Sequence, residues 1–371
     1  MPRINFSAGP GEVPACVTSQ TAQALREVPE VGLPLLGISH RSEWFGNVVD
    51  EAKEHLSALL KLPSNYHILF MQGGSTLQFS TVAALFMRGK DVCADYLHTG
   101  YWSGKAIPEA IKEGRVRVLY DGTNDGFSRL PADQELDFSP DAAYFHYISN
   151  ETVEGLQFHR TLGLPGVRRV CDMSSDFLSR PFDVSEFDII YAHAQKNLGP
   201  SGVTVVLVRD EILAEIPAGL PSMMDYRPHV AKNSIYNTPP TFAIYVVMLV
   251  LRWLRSEIGG LKNMNAINCA KAARLYQTID QNPHFYRGRA AKNDRSLMNV
   301  SFNLPDAALE HQFFCDSEAA GFSGLQGHHS CGGLRASLYN AVSLASVETL
   351  CEFMSDFAAK HVGKAQFEAS A

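Results

Sequence analysis

Lys196 stands in the stretch Tyr191-Ala192-His193-Ala194-Gln195-Lys196-Asn197-Leu198-Gly199-Pro200, where an apolar strand runs out into a Gly/Pro turn. An amine held there, in surroundings that disfavour the ammonium, becomes a nucleophile near neutral pH and can serve as a Schiff-base amine. A lone lysine on a turn is ordinarily just solvated, so its meaning depends on its company. Asp172 directly follows the expected strand 167–171 and precedes Met173-Ser174-Ser175. By itself it could merely cap a turn. Beside a strand-end lysine it also fits the acid that pyridoxal phosphate requires at its ring nitrogen, because a protonated pyridinium is the electron sink for a carbanion at a substrate's α-carbon.

Three further sites add to this pair. Gln72-Gly73-Gly74-Ser75-Thr76 follows a strand and opens a helix, a geometry that aims free N–H groups at an anion, although ordinary strand-to-helix turns look the same. Tyr101-Trp102, on a loop after another strand, offers an indole that could stack on a pyridine ring or simply pack in the core. Arg335 lies in the apolar strand Leu334-Arg335-Ala336-Ser337-Leu338-Tyr339 and needs an anion there: a structural carboxylate, or the carboxylate of a substrate gripped by both guanidinium arms. His40-Arg41 and His328-His329 are the other cationic or titratable clusters. A metal on His328-His329 is disfavoured, because neighbours on an extended segment point apart and no Asp, Glu or Cys completes a set.

The elements that position these residues are legible as periodicity. Strands are expected at 67–71, 92–97, 116–120, 142–148, 167–171, 189–192 and 203–208, with helices at 77–87 and 106–113 between the early ones. That alternation implies a mainly parallel α/β sheet whose ligands sit at the carboxyl ends of its strands. Asn237-Thr238-Pro239-Pro240 introduces an apolar core helix over 242–254. Beyond Gly259-Gly260 come a helix (263–279), a strand (298–304), a helix (307–320), a strand (334–339) and a last helix (347–361), a smaller α+β lobe. The tail 363–371 reads as frayed.

At 371 residues the chain exceeds the ~250–300 at which one core stops growing, so two lobes are expected. Net charge is −7, from 32 Lys+Arg against 39 Asp+Glu, with no basic face, which excludes nucleic acid as a partner. The seven cysteines are scattered without C-x-x-C or zinc-like spacing, as in a reduced, cytoplasmic protein. The longest apolar run, 242–251, is far below the ~20 residues a membrane crossing needs, and no signal-peptide pattern opens the chain.

Taken together, Asn5-Phe6-Ser7-Ala8-Gly9-Pro10, Ser39-His40-Arg41, Gly100-Tyr101-Trp102, Asn150-Glu151-Thr152, Ala194-Gln195-Lys196-Asn197, Asn237-Thr238-Pro239-Pro240-Thr241 and Gly332 through Asn340 resemble the phosphoserine aminotransferase family, fold-type-I pyridoxal-phosphate enzymes, along nearly the whole chain. The resemblance implies a mainly parallel seven-stranded sheet, with a large cofactor domain over 16–258 and a small domain from 1–15 and 259–371. It implies a Schiff base on Lys196, the pyridinium partner at Asp172 and stacking by Trp102. Ser75, Thr76 and Gln195 would hold the cofactor phosphate, and Thr152 would touch its phenolic oxygen. Asn237 and Thr238 would reach the phosphate in a neighbouring subunit, and His40 and Arg41 that subunit's substrate, so a homodimer with shared active sites is implied. Arg335, with Ser7 nearby, would take the carboxylate of L-glutamate or of a phosphorylated 2-oxo acid. The substrate phosphate would fall to His40, Arg41, His328 and His329. The family pattern carries arginine at the position of His329, and a third glycine in the loop where Ser75 stands. Serine biosynthesis is the implied role, with 4-phosphohydroxythreonine of pyridoxine biosynthesis as a second substrate in some relatives. Against this stand another enzyme on the same scaffold, such as an alanine:glyoxylate-type transaminase or a cysteine desulfurase using Cys331, and a catalytically silent phosphoserine-binding protein.

Overall fold

Seven strands form the central sheet of the computed structural model, which describes residues 3–361; the tail expected to fray lies outside the described residues. In chain order they are β1 (Tyr66–Met71), β2 (Cys93–His98), β3 (Arg115–Asp121), β4 (Phe145–Ile148), β5 (Arg169–Asp172), β6 (Ile189–His193) and β7 (Thr204–Arg209), side by side as β1-β7-β6-β5-β4-β2-β3. β7 runs antiparallel to both of its neighbours and every other pairing is parallel. Strands covered on both faces must be apolar throughout: Val205, Val206, Leu207 and Val208 are all buried, as are Ile189, Ile190, Tyr191 and Ala192. That is why each expected strand is found, displaced by a residue or two; the fourth begins only at Phe145.

Helices cover the sheet: α1 (Ala15–Arg26), α2 (Glu43–Leu60), α3 (Gly74–Met87), α4 (Tyr101–Ile111) and α5 (Thr241–Ser256). α2 and α5 share one core through Val48, Val49 and Leu56 against Val247 and Leu251. α3, buried from Phe79 to Met87 apart from Ser80, packs with Tyr144, Val170 and Tyr191 on the opposite face. The remaining part comprises α6 (Leu261–Gln281), α7 (Ala307–Ala319) and α8 (Leu344–His361) around the antiparallel strands β8 (Arg287–Gly288), β9 (Asn299–Asn303) and β10 (Leu334–Ser337). Its core is aromatic, with Tyr286, Phe302, Phe313 and Phe357 in edge-on contacts. The start of the chain joins it, since Ile4–Asn5 pairs with Phe322–Ser323.

Two elements differ from expectation. α1 has only Val17, Thr21 and Ala24 buried, too thin an apolar stripe to register as helical period. Tyr101-Trp102 lies in the first turn of α4 instead of on a loop, because Ser103 Oγ accepts from the N–H groups of Thr99 (2.8 Å) and Gly100 (3.0 Å) and so starts the helix early.

Candidate active site

The carboxyl ends of β1, β2, β4, β5 and β6 surround a cavity of about 450 Å³, within the range of pockets that take a small cofactor. Ser75, Thr76, Trp102, Asp172, Gln195 and Lys196 line it. The sequence places each of them by a separate device. Gly73 and Gly74 adopt φ of +91° and +68°, and a Cβ on Gly73 would strike Leu77, 2.7 Å from its Cβ. Only glycine therefore lets α3 begin there with its first N–H groups, which lack intrahelical partners, facing the cavity. Asp172 ends β5. Lys196 follows β6 in a connection back to β7 that Gly199 (φ +138°) and Gly202 (φ +114°) allow. The segment before α1 covers this connection: Gly11 N donates to Gln195 O at 2.7 Å.

Burial sets the electrostatics. It lowers Lys196 to about 8; Asp172 opposes that fall and Arg335 adds to it. It raises Asp172 to about 6, against the bonds from Ser174 and the charge of Lys196. An amine and a carboxyl whose values approach each other across one cavity mark a reactive site. Lys196 Nζ lies 5.8 Å from the centroid of the Trp102 ring, and Trp102 Nε1 donates to Thr152 Oγ1 at 3.0 Å, fixing the indole against the β4 loop.

Arg335 reaches this cluster from β10. Its Nη1 donates to Thr152 O at 3.1 Å, its Nε has no partner, and among the described residues no acidic side chain pairs with it. The structural-carboxylate alternative is thereby removed. Ser7 packs against Gly324, in the strand whose Phe6 O accepts from Ser337 N of β10. The His328 ring lies 4.5 Å from that of Tyr101, tilted by 58°, and His329 is 6.3 Å from the same ring. The two imidazoles do not point apart. They lie 4.0 Å from each other, because the chain turns where an extended segment was expected and His328 O accepts from Cys331 and Gly332.

Nine expected residues are absent from the cavity's lining: Ser7, Thr152 and Arg335, then His328 and His329, which line a separate pocket, and four more on other segments. His40 is half-buried and Arg41 exposed just before α2. Asn237 and Thr238 touch only the rim, where Gln72 Nε2 donates to Thr238 O at 2.8 Å.

Sequence reasoning missed others. Ser174 Oγ donates to Asp172 and lies 2.6 Å from Ser75 Oγ. Its only proton being used, it accepts from Ser75, tying the acid to the glycine loop. His193 also lines the cavity; burial and Lys196 lower its pKa. Glu151 and Glu154 are buried beside α4. The signal for Ser174 was its place two residues after Asp172, the usual position for a serine that bonds an aspartate.

The chain belongs to the class-V aminotransferase family, whose model matches residues 3–350. Within that class it is 48% identical over 354 residues to a phosphoserine aminotransferase from Geobacillus kaustophilus, covering 95% of this chain and 97% of the relative. It is 46% identical over 356 residues to the one from Herpetosiphon aurantiacus, covering 96% and 98%. The solved phosphoserine aminotransferase of Bacillus circulans subsp. alkalophilus superposes with a TM-score of 0.93 at 44% identity, covering 96% of this chain and 98% of that one. The fold is that of the fold-type-I transferases.

Pyridoxal phosphate fits the residues present: the open start of α3 at Gly74-Ser75-Thr76 suits a phosphate, and Asp172 and Lys196 on the same cavity supply the acid and the amine.

Proposed function

We propose that this chain is a cytoplasmic, homodimeric enzyme that moves an amino group between L-glutamate and 3-phosphohydroxypyruvate, giving 2-oxoglutarate and O-phospho-L-serine for serine biosynthesis. The observation that carries this reading is Lys196, an amine with a lowered pKa facing Asp172, in a chain 48% identical to a phosphoserine aminotransferase.

Pyridoxal phosphate, when bound, supplies the sink for the electron pair left at the substrate's α-carbon. Lys196 Nζ would take the proton from that carbon and give it up on the cofactor side of the transferred nitrogen, acting as general base and then acid with a pKa close to working pH. Asp172 would hold a proton at the ring nitrogen. Trp102 would cover the ring, and Ser75, Thr76 and Gln195 would bind the phosphate. Arg335 grips the α-carboxylate of either substrate, its open Nε available for the second bond of a bidentate pair. His328 and His329, at the outer edge beside Tyr101, take the distal group: a phosphate in one half-reaction, glutamate's side-chain carboxylate in the other.

Arg335→Ala and His329→Arg should therefore act differently. The first should raise KM for glutamate and for phosphoserine together, by about 10²-fold, since losing a charged bidentate partner is worth roughly 3 kcal/mol. The second should tighten phosphorylated substrates, as a guanidinium fork that pairs with phosphate through two bonds replaces an imidazole. Steady-state KM values for both donors check this; equal effects of His329→Arg on the two would refute the assigned pocket.

A second copy of the chain completes the site. Leu33 and Leu36, 46% and 71% exposed, lie on the segment that leads into His40 and Arg41, and Tyr236, 42% exposed, adjoins Asn237. His40, Arg41, Asn237 and Thr238 thus sit on segments with apolar side chains that an interface would cover. Mixing Arg41→Ala with Lys196→Ala chains should restore part of the activity each lacks, since one hybrid site would carry neither change. No recovery would exclude sharing. A coupled assay with glutamate and 3-phosphohydroxypyruvate, run beside alanine, glyoxylate and 4-phosphohydroxythreonine, tests the reaction itself; preference for alanine with glyoxylate would overturn it.

A further inference from the structure

At the start of α4 two carboxyl groups occupy one dry space. Glu151 is 1% exposed and Glu154 9%. Glu151 accepts from Trp102 N (3.1 Å), Ser103 N (3.0 Å) and Thr99 Oγ1 (3.4 Å). Glu154 Oε1 accepts from Tyr101 N at 2.9 Å, while its Oε2 is buried with no partner. The helix thus gives its first N–H groups, including that of Trp102, to these two side chains. Gly100 is required for room: a Cβ there would run into Glu154 Oε2 and come within 2.8 Å of Glu151 Cδ.

Two ionised carboxylates cannot share so small a space of low dielectric, so one retains its proton. The donors decide which. Glu151 has three and keeps the charge; Glu154 has one and a bare oxygen, and keeps the proton. We propose that Glu151 and Glu154 form a carboxyl pair holding a single proton, which clamps the first turn of α4 and so fixes the plane of Trp102 over the cavity. Both are positioning residues for the transamination.

Burial, followed by the charge of Glu151, raises Glu154 to about 8, with Arg289 pulling it down. Burial raises Glu151 as well. The other ionisable groups around the pair are Asp172 and Lys196 at the cavity, both of which feel Glu151, Arg335, which feels Glu154, and His328 and Lys105 against the Tyr101 ring. A carboxyl raised in the folded chain contributes stability that is full below its ordinary value of 4.5 and is lost as pH rises through about 8. The clamp should therefore hold at neutral pH and loosen on the alkaline side.

The inference deepens the role given to Trp102, but its readout is independent of cofactor and catalysis. In the full-length Lys196→Ala chain, labelled with 15N-tryptophan and given no cofactor, so that no amine titrates 5.8 Å from the ring, the Trp102 indole N–H, which donates to Thr152 Oγ1 at 3.0 Å, is identified by its loss on adding Trp102→Phe. Its signal should move with a midpoint near pH 8. Glu154→Gln, neutral and of the same shape, should abolish the midpoint and leave the signal at its neutral-pH position. Glu154→Ala should displace it at every pH, with solvent exchange about tenfold faster, the scale of a lost helix cap. With Lys196 absent, a midpoint near pH 8 that survives in Glu154→Gln overturns the proposal, and so does a signal unmoved by Glu154→Ala. If Glu154→Ala does not fold, Glu154→Gln decides alone.

Discussion

Lys196→Ala should lower turnover by about 10⁴-fold, the upper end of what one positioned proton-transfer group contributes, with the fold intact. Removing the side chain leaves no buried hydrogen bond unmade, because Lys196 Nζ has no hydrogen-bond partner among the described residues; it lines the cavity near Trp102. The folded variant should still bind pyridoxal phosphate through the start of α3 and Gln195, but release it on gel filtration where the parent retains it. Turnover measured with glutamate and 3-phosphohydroxypyruvate, beside a melting curve, separates loss of chemistry from loss of fold. Activity within tenfold of the parent would remove Lys196 from the mechanism.

The second large effect belongs to Asp172. Asn in its place can still accept from Ser174 N, which lies 2.8 Å from Oδ1, yet it carries no charge to keep a proton on the ring nitrogen. We expect kcat to fall by about 10³-fold with KM little altered, the scale of deleting one preorganised electrostatic group. Stability should move the other way. Burial raises Asp172 from 3.8 to about 6, so its contribution is full below pH 3.8, is lost as pH rises through 6, and at pH 7.5 the charge is a cost. Cofactor-free Asp172→Asn should then be more stable than the parent at pH 7.5, by at most about 3 kcal/mol, since each tenfold change in proton affinity is worth about 1.4 kcal/mol. Melting curves should show the gap closing toward pH 4. A variant that loses stability at pH 7.5 while keeping kcat would show Asp172 to be a structural cap.

How much of this was legible in the residues follows from the range of the interactions. The seven strands were readable because burial on both faces leaves unbroken apolar runs such as Val205 to Val208, and their order put the chemistry at their carboxyl ends. Lys196, Asp172 and the Gly73-Gly74 loop were legible for the same reason: each is a polar interruption directly after such a run. Arg335 announced itself as a charge inside an apolar strand, but whether its anion was structural could be answered only by the absence, among the described residues, of a carboxylate paired with it. Contacts between distant segments were not legible. His328 and His329 were expected to diverge, and a turn set by backbone bonds brings their rings together. Nothing in Asn150-Glu151-Thr152 or in Glu154 signals that both acids bury against the first turn of a helix some fifty residues earlier, since two glutamates three apart look like any solvated surface.

The central claim is that one amine of this chain, Lys196, holds the cofactor. Borohydride reduction of the protein with pyridoxal phosphate, then proteolysis and mass spectrometry, should place the phosphopyridoxyl group on the peptide carrying Lys196 and on no other in comparable yield. Label spread over surface lysines, with the Lys196 peptide unmodified, would contradict the account.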